Sequence, residues 1–532
     1  MAAFFLTVSC GPKSSSDDGQ ILFIGEDIAV ANTQYGKVRG YILRDIYQFK
    51  GIPYGAPTSG ANRFMPPQKP EPWDGVKLAL NYGDMAPQAI TYDKGPESAG
   101  GFVDNWNFFK SSEDCLRLNV WTPGLDSEKR PVLVWFHGGG FFNGSAIEQD
   151  GYGGESLAKY GDVVVCSVNH RLNAFGFTDL AKVGGEKYKH SGNVGMLDLV
   201  ASLQWIHDNI ANFGGDPGNV TVIGQSGGGS KVSYIASMPA AKGLVHKGVA
   251  LSGNTTSASS KEVAEALGEF ILQEAGLKPS EIDKLQEMPW EEYYELANAA
   301  QSKFNRLYGS TVGRSGFNPV GDGIDIPEGT LFNPEDSNLP DIPMLYCTVK
   351  QEQNPDRTNP ELEDITFDGV VEKLSGRYGE NTRKVVEAYA KVFPECRPIE
   401  IWALLTGVRT NVVRSANVKS GQKSPVYMAW FGWQPPLFDG RMRAFHCIDI
   451  CFWLHNTDVM ITHTGGGARP RALSDKMSDA LLAFMRTGNP NCKSLPAWPE
   501  YTPENGEVMV LDDVCQAMND PDREARQVIE NL

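Results

Sequence analysis

The segment TVIGQSGGGS, residues 221–230, surrounds Ser226 with four glycines directly after a run of β-branched residues. Glycine is the costliest residue to order, so this density of glycine needs a reason. VTVI has the pattern of a strand and GGSKVSYIASMP that of a helix, which fits the strand–turn–helix corner of a G-x-S-x-G motif. Such a corner exposes the serine hydroxyl and adds the positive end of a helix dipole. We therefore predict that Ser226 is a nucleophile.

A second glycine cluster, HGGGF at residues 137–141, follows the apolar run PVLVWF. Successive backbone N–H groups without side chains can point at one oxygen, as an oxyanion hole requires. Either cluster alone is also compatible with a flexible turn. Together, each at the end of a predicted strand and in the expected chain order, the two clusters predict a site for acyl transfer.

A triad on this type of sheet runs along the chain as serine, acid and histidine. Glu352 lies in KQEQN, just past the predicted strand IPMLYCTVK at 342–350, and is the first candidate acid. Asp325, Asp356 and Asp364 remain alternatives.

Three histidines follow the acid: His446, His455 and His463. His446, in RAFHCID, comes shortly after the predicted strand PVYMAWFGW at 425–433 and is our candidate base. His455 lies in an apolar stretch and is interpreted as structural. His137 belongs to the HGGG segment and is interpreted as a support for that loop.

The elements that position these residues follow an α/β pattern. Four apolar runs, at 116–123, 131–140, 162–171 and 219–226, show little alternation and end in glycine or a loop, as strands buried on both faces do. The stretch SGNVGMLDLVASLQWIHDNIANFGG between the last two has helical spacing. This order predicts a doubly wound, mostly parallel sheet. Upstream, DIAVANTQ, GKVRGYIL and IYQFKGIPYG predict an antiparallel edge leading into it.

Beyond residue 255 the pattern becomes mainly helical. Amphipathic segments without partner strands fill the regions from about 255 to 340 and from about 355 to 445, interrupted by the strand at 342–350. We interpret both regions as helical lid insertions over the strand ends. Residues 26–532 then form a single catalytic domain.

Composition narrows the function further. The formal charge of −17 argues against binding to nucleic acid or to anionic membrane surfaces. The nine cysteines contain no CxxC pair and no Cys/His spacing of a zinc site. The sequence predicts neither a metal nor a cofactor.

The first 25 residues predict an export signal with a tether. MAAFFLTVSC is apolar and ends on a cysteine, and the polar stretch GPKSSSDDGQ follows it. This order is that of a bacterial lipoprotein signal, in which the cysteine is acylated after cleavage. The expectation is an exported protein, periplasmic or tethered to a membrane through lipidated Cys10. The alternative is a cytoplasmic protein whose N-terminus is apolar without being a signal.

Several further motifs carry a family resemblance. FKGIPYG, SEDCLRLNVWTP, NHRLNAFGF, NIANFGGDPGNVTVIGQSGG, LSDKMSDALLAFMRTGNPN and LPAWPEYTP extend over roughly residues 26–515. With the two glycine clusters, they resemble the type-B carboxylesterases, the cholinesterase-like branch of the α/β-hydrolases, in their bacterial form. The resemblance implies the α/β-hydrolase fold, with a central mostly parallel twisted sheet and helices on both faces.

The same resemblance assigns roles to residues. It implies oxyanion donors at the N–H groups of Gly139, Gly140 and Gly227. It gives the acid role to Glu352, although the segment that often reads DEG is KQEQN here, and the base role to His446.

Some polar residues resemble the family's scaffold. The pairs Arg63 with Glu113 and Arg171 with Asp198 match its internal salt bridges. Family members commonly pair the cysteine of the EDCL motif with an upstream cysteine, but the upstream position here is Ala86, so Cys115 lacks that partner.

Trp106 lies near the position at which cholinesterases carry a tryptophan that binds choline. An ordinary role for Trp106, in lining the pocket or in packing, is the alternative interpretation.

The resulting functional prediction is a serine carboxylic-ester hydrolase with an acyl-enzyme intermediate, acting on small or aromatic esters. An amidase or carbamate hydrolase with the same triad is an alternative, because fold and triad do not fix the leaving group. A catalytically inactive binding protein on this fold is the remaining alternative.

Overall fold

The computed structural model describes residues 19–89, 99–104, 106–253, 255–354 and 359–532. Its strands, in chain order, are β1 Leu22–Phe23, β2 Val30–Thr33, β3 Gly36–Arg39, β4 Tyr41–Leu43, β5 Ile46–Pro53, β6 Val76–Leu78, β7 Arg117–Thr122, β8 Arg130–Phe136, β9 Val164–Val168, β10 Gly215–Gln225, β11 Lys247–Leu251, β12 Ser259–Ser260, β13 Val320–Gly321, β14 Met344–Val349, β15 Val426–Phe431, β16 Glu507–Leu511 and β17 Gln516–Asn519.

The α-helices are α1 Ala99–Val103, α2 Glu155–Gly161, α3 Asn173–Phe177, α4 Ala181–Gly184, α5 Val194–Asn209, α6 Gly227–Ile235, α7 Lys261–Glu274, α8 Lys284–Glu287, α9 Trp290–Tyr308, α10 Phe367–Tyr378, α11 Thr382–Val392, α12 Pro398–Leu405, α13 Arg409–Lys419, α14 Ile450–Trp453, α15 Ile461–Thr464, α16 Ala468–Thr487 and α17 Arg523–Glu530.

The dominant element is a twelve-stranded sheet with the order β1-β4-β5-β7-β9-β8-β10-β11-β14-β15-β16-β17. The seven strands from β9 to β16 in this order are parallel, and the pairings outside them are antiparallel. The carboxyl ends of β10, β14 and β15 therefore lie along one edge of the sheet. Sites on α/β sheets form at this edge.

Strand β8 shows why the central strands are apolar without alternation. Val132, Val134 and Phe136 pack into one buried cluster, and Leu133 and Trp135 pack into another. Because successive strand residues point to opposite faces, the two clusters lie on the two faces of the sheet. Both faces are covered, as parallel sheets require.

The N-terminal edge differs from the prediction. The segment GKVRGYIL is divided at Gly40: β3 pairs with β2 and β6 in a separate three-stranded sheet, and β4 joins the main sheet. A Cβ at Gly40 would lie 2.0 Å from the Gln48 carbonyl oxygen, so the chain crosses against β5 at this point. The predicted antiparallel edge is present as β1, β4 and β5, whereas β2 and β3 form a separate sheet.

The predicted helices before and after β10 are present as α5 and α6. Helices α7 and α9 lie along the chain between β11 and β14 and pack on each other. Helices α10 to α13 lie between β14 and β15, and three of them share an apolar cluster with α17.

Two buried salt bridges match those expected from the resemblance. Arg63 Nη2 lies 2.7 Å from Glu113 Oε2, and Arg171 Nη2 lies 2.7 Å from Asp198 Oδ1. Cys115 is buried, and all cysteines within the described ranges are free. No helix in those ranges is long and apolar enough to span a bilayer.

Candidate active site

Ser226 lies at the corner between β10 and α6. Its backbone has φ 58° and ψ −122°, and its N–H donates to the Leu251 carbonyl at 2.7 Å. A positive φ at a non-glycine residue is strained, by an amount of order 1–3 kcal/mol. The surrounding structure therefore holds the serine in place, as the G-x-S-x-G pattern predicts for an exposed nucleophile.

The neighbouring glycines allow three backbone segments to approach. A Cβ at Gly224 would lie 2.5 Å from the Gly228 carbonyl carbon, and a Cβ at Gly228 would lie 2.1 Å from the Phe136 oxygen. A Cβ at Gly227 would lie 2.2 Å from the Gly140 oxygen. These distances exclude any side chain, which explains the glycines around Ser226.

Three glycines lie close to this corner. Gly139 and Gly140 have φ values of 74° and 61°, in the region that favours glycine. Within the described ranges, the N–H groups of Gly139, Gly140 and Gly227 donate to no protein acceptor. Gly138, next to them, lies in contact with Ser226: a Cβ there would be 3.5 Å from the serine Cβ.

Glu352 and His446 form a hydrogen-bonded pair at the ends of the next strands. His446 Nδ1 lies 2.5 Å from Glu352 Oε2, and the buried Glu352 Oε1 accepts from Ser252 Oγ at 2.6 Å and from the Val349 N–H at 3.3 Å. The carboxylate is thus fixed by three partners. An Nδ1–H donated to Glu352 leaves Nε2 as the basic nitrogen of a neutral imidazole.

Ser226 and His446 line one cavity of about 190 Å³. The other lining residues are Asp104, Trp106, Gly138, Gly139, Glu148, Tyr152, Gln225 and Cys447. The serine hydroxyl makes no hydrogen bond with the part of the chain that the structure describes. Catalytic hydrogen bonds are often long without substrate and tighten in the complex.

Gln225, the variable residue of the motif, contacts the base directly. Its Nε2 lies 3.3 Å from His446 Nδ1 and 3.2 Å from His446 Nε2. An atom in the plane of the imidazole at these distances from both nitrogens would overlap a ring carbon. The Gln225 amide therefore lies against the face of the ring. Cys447 Sγ donates to Gln225 Oε1 at 3.2 Å. The sequence analysis did not predict either contact, because 221 residues separate Gln225 from His446.

A buried lysine is bound to the loop at residues 137–141. Lys231, on α6, donates from Nζ to the His137 carbonyl at 2.9 Å, and burial lowers its pKa to about 7. Glu148 is also buried and accepts from Tyr152 Oη at 2.9 Å, and its burial raises its pKa to about 7. The sequence analysis identified neither residue, although the single charged residue of α6 was a signal that could have indicated Lys231.

His137 supports the loop as interpreted. Its Nδ1 lies 3.0 Å from the Gly138 oxygen, and its ring stacks on His170 with centroids 5.0 Å apart. Burial holds the pKa of both imidazoles well below the usual value, so both are neutral.

The alternative acids lie elsewhere. Asp325 Oδ2 is 2.8 Å from His190 Nδ1, and Asp364 closes the short helix Pro360–Asp364. Asp356 lies outside the described residues. Of the three candidates within the described residues, Glu352 is the one bound to His446.

The alternative histidines have other partners as well. His455 Nε2 lies 2.9 Å from Asp475 Oδ1 and its ring stacks on Tyr160. His463 is buried, with Nε2 3.9 Å from Asp104 Oδ1 and its ring against Phe445.

Comparison with known proteins agrees with this architecture. The sequence model of the carboxylesterase family matches residues 27–528. Para-nitrobenzyl esterase of Bacillus subtilis (strain 168) is 32% identical over 515 residues, covering 94% of this chain and 98% of that protein. Phenmedipham hydrolase of Pseudarthrobacter oxydans is 31% identical over 496 residues, covering 91% and 95%.

A solved structure is similar over the whole length. An esterase from anaerobic Clostridium hathewayi, described as able to hydrolyse aliphatic aromatic polyesters, is 35% identical, with a TM-score of 0.80. The match covers 96% of this chain and 99% of that one.

Proposed function

The chain belongs to the carboxylesterase family and is a carboxylic ester hydrolase, and we propose that it acts through a Ser226–His446–Glu352 triad with an oxyanion hole at Gly139, Gly140 and Gly227. The observation that carries this proposal is that Ser226, His446 and Gly139 line one cavity. Glu352 binds the imidazole of His446, and Gly140 and Gly227 lie in close contact with each other next to Ser226.

The mechanism follows from these positions. His446 Nε2 takes the proton of Ser226 Oγ as the oxygen attacks the ester carbonyl. Glu352 keeps the imidazole oriented and stabilises the imidazolium. The backbone donors bind the oxyanion, each contributing about 10²–10³-fold in kcat. His446 then protonates the leaving alcohol, and water hydrolyses the acyl-enzyme by the same route.

The cavity supports small substrates. Its volume of about 190 Å³ is below the roughly 300 Å³ at which pockets for drug-sized ligands begin. Trp106 and Tyr152 supply aromatic walls beside Ser226. We therefore propose short acyl or small aromatic esters as substrates. The proposal that the insertions at about 255–340 and 355–445 form a lid rests on their place in the chain order, since the residues that line this cavity come from other segments.

The test uses p-nitrophenyl acetate, butyrate and octanoate with the wild type, Ser226→Ala and Ser230→Ala. Ser230 lies one turn further along α6 and is the matched control. We expect Ser226→Ala to lose several orders of magnitude in kcat and Ser230→Ala to stay near wild type. Acetate and butyrate should be hydrolysed faster than octanoate. Ser226→Ala with wild-type activity would exclude the nucleophile assignment.

Amides and carbamates are the competing substrate class. Matched ester, amide and carbamate substrates with one leaving group give the ratio of kcat/KM values. A higher kcat/KM on the amide or carbamate would replace the ester proposal, and a folded wild type without any turnover would favour the inactive binding protein.

We also propose that the protein is exported and tethered through lipidated Cys10. The support is the order of the apolar run, the cysteine and the polar tether; these residues lie outside the described part. Mass spectrometry of the chain produced in a bacterial host should show acylated Cys10, and Cys10→Ala should release the protein from the membrane fraction. Equal fractionation of both forms would contradict the proposal.

A further inference from the structure

A second cavity, of about 230 Å³, lies between the helical segment after β14 and the C-terminal helix α17. Val349, Trp430 and Leu404 form part of its wall. It shares no lining residue with the cavity around Ser226 within the described part of the chain.

Its lining is strongly cationic in a chain of net charge −17. Lys350, Arg377, Arg409 and Arg414 line it together with a single carboxylate, Asp522. Among the described residues, Lys350, Arg377 and Arg414 have no carboxylate within salt-bridge distance. Three cations that lack counter-charges and face one space create a positive potential there.

Asp522 does not cancel this charge, because it is already bound. Arg409 Nε lies 2.9 and 2.8 Å from its two oxygens, and Arg526 Nε lies 3.2 Å away. Arg409 is only 8% exposed, and its Nη1 has no hydrogen-bond acceptor. That nitrogen has almost no accessible surface, so the charge open to a ligand in the cavity is that of Lys350, Arg377 and Arg414.

The remaining walls are aromatic and aliphatic. The Arg409 guanidinium lies over the Trp430 ring at 4.3 Å, and Lys350 Nζ lies 5.1 Å from the same ring. Tyr389 and Leu404 add further apolar surface. Trp430 is only 2% exposed beneath these cations, and the half-buried apolar side chains of the wall are Tyr378, Leu404 and Ile529. The cavity therefore offers cationic groups beside an apolar surface.

We propose that this cavity is a binding site for a small aromatic carboxylate, whose carboxylate meets Lys350, Arg377 and Arg414 and whose ring packs on the half-buried apolar side chains of the wall. The link to catalysis rests on the proposed function, because hydrolysis of an ester with an aromatic acyl group releases such an acid. The site also adjoins the triad: a Cβ at Gly407, which lines the cavity, would lie 3.5 Å from Glu352 Cγ.

The test is calorimetric titration of the full chain with sodium 4-iodobenzoate at low ionic strength, with the uncharged 4-iodobenzamide as a second probe. The test variant is Arg377→Glu/Arg414→Glu, since both side chains are exposed and have no ion-pair partner. Arg306→Glu, at an exposed position of α9 outside the cavity, is the matched charge control. Far-UV circular dichroism establishes that each variant is folded.

We expect 4-iodobenzoate to bind the wild type and Arg306→Glu with equal affinity and the double variant at least tenfold more weakly. Its affinity for the wild type should fall at high salt. The amide should not bind. The iodine position in anomalous diffraction from wild-type crystals should lie in this cavity, which tests the site without any variant. Equal affinity for the double variant and the wild type would overturn the proposal, as would absence of binding or iodine only beside Ser226.

Discussion

The proposed catalytic site has two halves, one made of side chains and one made of backbone groups. The acid–base half consists of two side chains, His446 and Glu352, carried on segments that follow β14 and β15. The oxyanion half consists of backbone N–H groups at Gly139, Gly140 and Gly227, held by contacts too close for any Cβ at Gly227.

This difference determines how each half responds to substitution. A side chain can be removed while its surroundings stay in place, so the acid–base half is open to deletion. A backbone N–H cannot be removed by substitution, so the oxyanion half can only be displaced. We therefore expect clean losses of activity from the first half and combined losses of activity and stability from the second.

The largest effect should come from the base. His446→Ala removes the proton acceptor for Ser226, and we expect kcat to fall about 10⁴–10⁶-fold with little change in thermal stability. Steady-state hydrolysis of p-nitrophenyl butyrate measures this. His455→Ala is the matched control and should remain near wild type. A fall of less than tenfold in His446→Ala would mean that another group is the base.

Next in size is the acid. Glu352→Gln keeps the shape of the side chain but loses the charge that stabilises the imidazolium, so kcat should drop about 10³–10⁴-fold. Asp364→Asn, at the alternative acid, should leave kcat unchanged. If the two variants exchanged these results, the acid assignment would be wrong.

The oxyanion half should give a smaller loss of activity with a loss of stability. In Gly227→Ala the new Cβ would lie 2.2 Å from the Gly140 oxygen, so one donor or both must move. We expect kcat to fall about 10²–10³-fold and Tm to be lower than in the wild type. Gly376→Ala, where a Cβ meets nothing within 4 Å, is the control for the substitution itself. An unchanged Tm with full activity would show that the contact is not rigid.

Lys231 tests what holds the oxyanion loop. Lys231→Met keeps the length of the side chain but removes the donor to the His137 carbonyl. We expect kcat to fall roughly tenfold, with a smaller change in KM. Lys419→Met, at another buried lysine, should leave both constants unchanged. An effect confined to Tm would reduce Lys231 to a scaffold role.

The smallest effect concerns the pH dependence of stability. Burial lowers the pKa of Lys231 to about 7, whereas an unfolded lysine titrates near 10.4. Between these values the unfolded chain binds a proton that the folded chain does not, so Lys231 makes the free energy of unfolding rise with pH, by at most about 1.4 kcal/mol per pH unit. Urea unfolding at pH 7.5, 8.5 and 9.5 should show a flatter dependence in Lys231→Met. Parallel curves would contradict the lowered pKa.

Local sequence patterns were sufficient to predict much of the fold. Strands β8, β9, β10, β14 and β15 follow from uninterrupted apolar runs, since both faces of each strand are covered. Ser226 and the segment at 137–141 were predictable because their glycines mark close approach directly after strands. The separate position of β2 and β3 was not predictable from the sequence, because it depends on the contact between Gly40 and Gln48 of β5.

The contacts around the site required the structure. Gln225 against His446, and Lys231 beneath the His137 carbonyl, join residues far apart in the chain, and neither has a local pattern that specifies its partner. The cationic cavity likewise collects Lys350, Arg377 and Arg414 from three separate segments, each ordinary when read alone.

The chain order of the site also has a consequence for biosynthesis. Ser226 and the three glycines are complete once residue 227 has been made, but His446 follows only after about 220 further residues, roughly 10 to 45 s of translation. During that interval the edge of β11 that later pairs with β14 is uncovered. An open apolar strand edge is a site of aggregation, so translational pauses before residue 344 should lower the yield of folded enzyme more than pauses after residue 431.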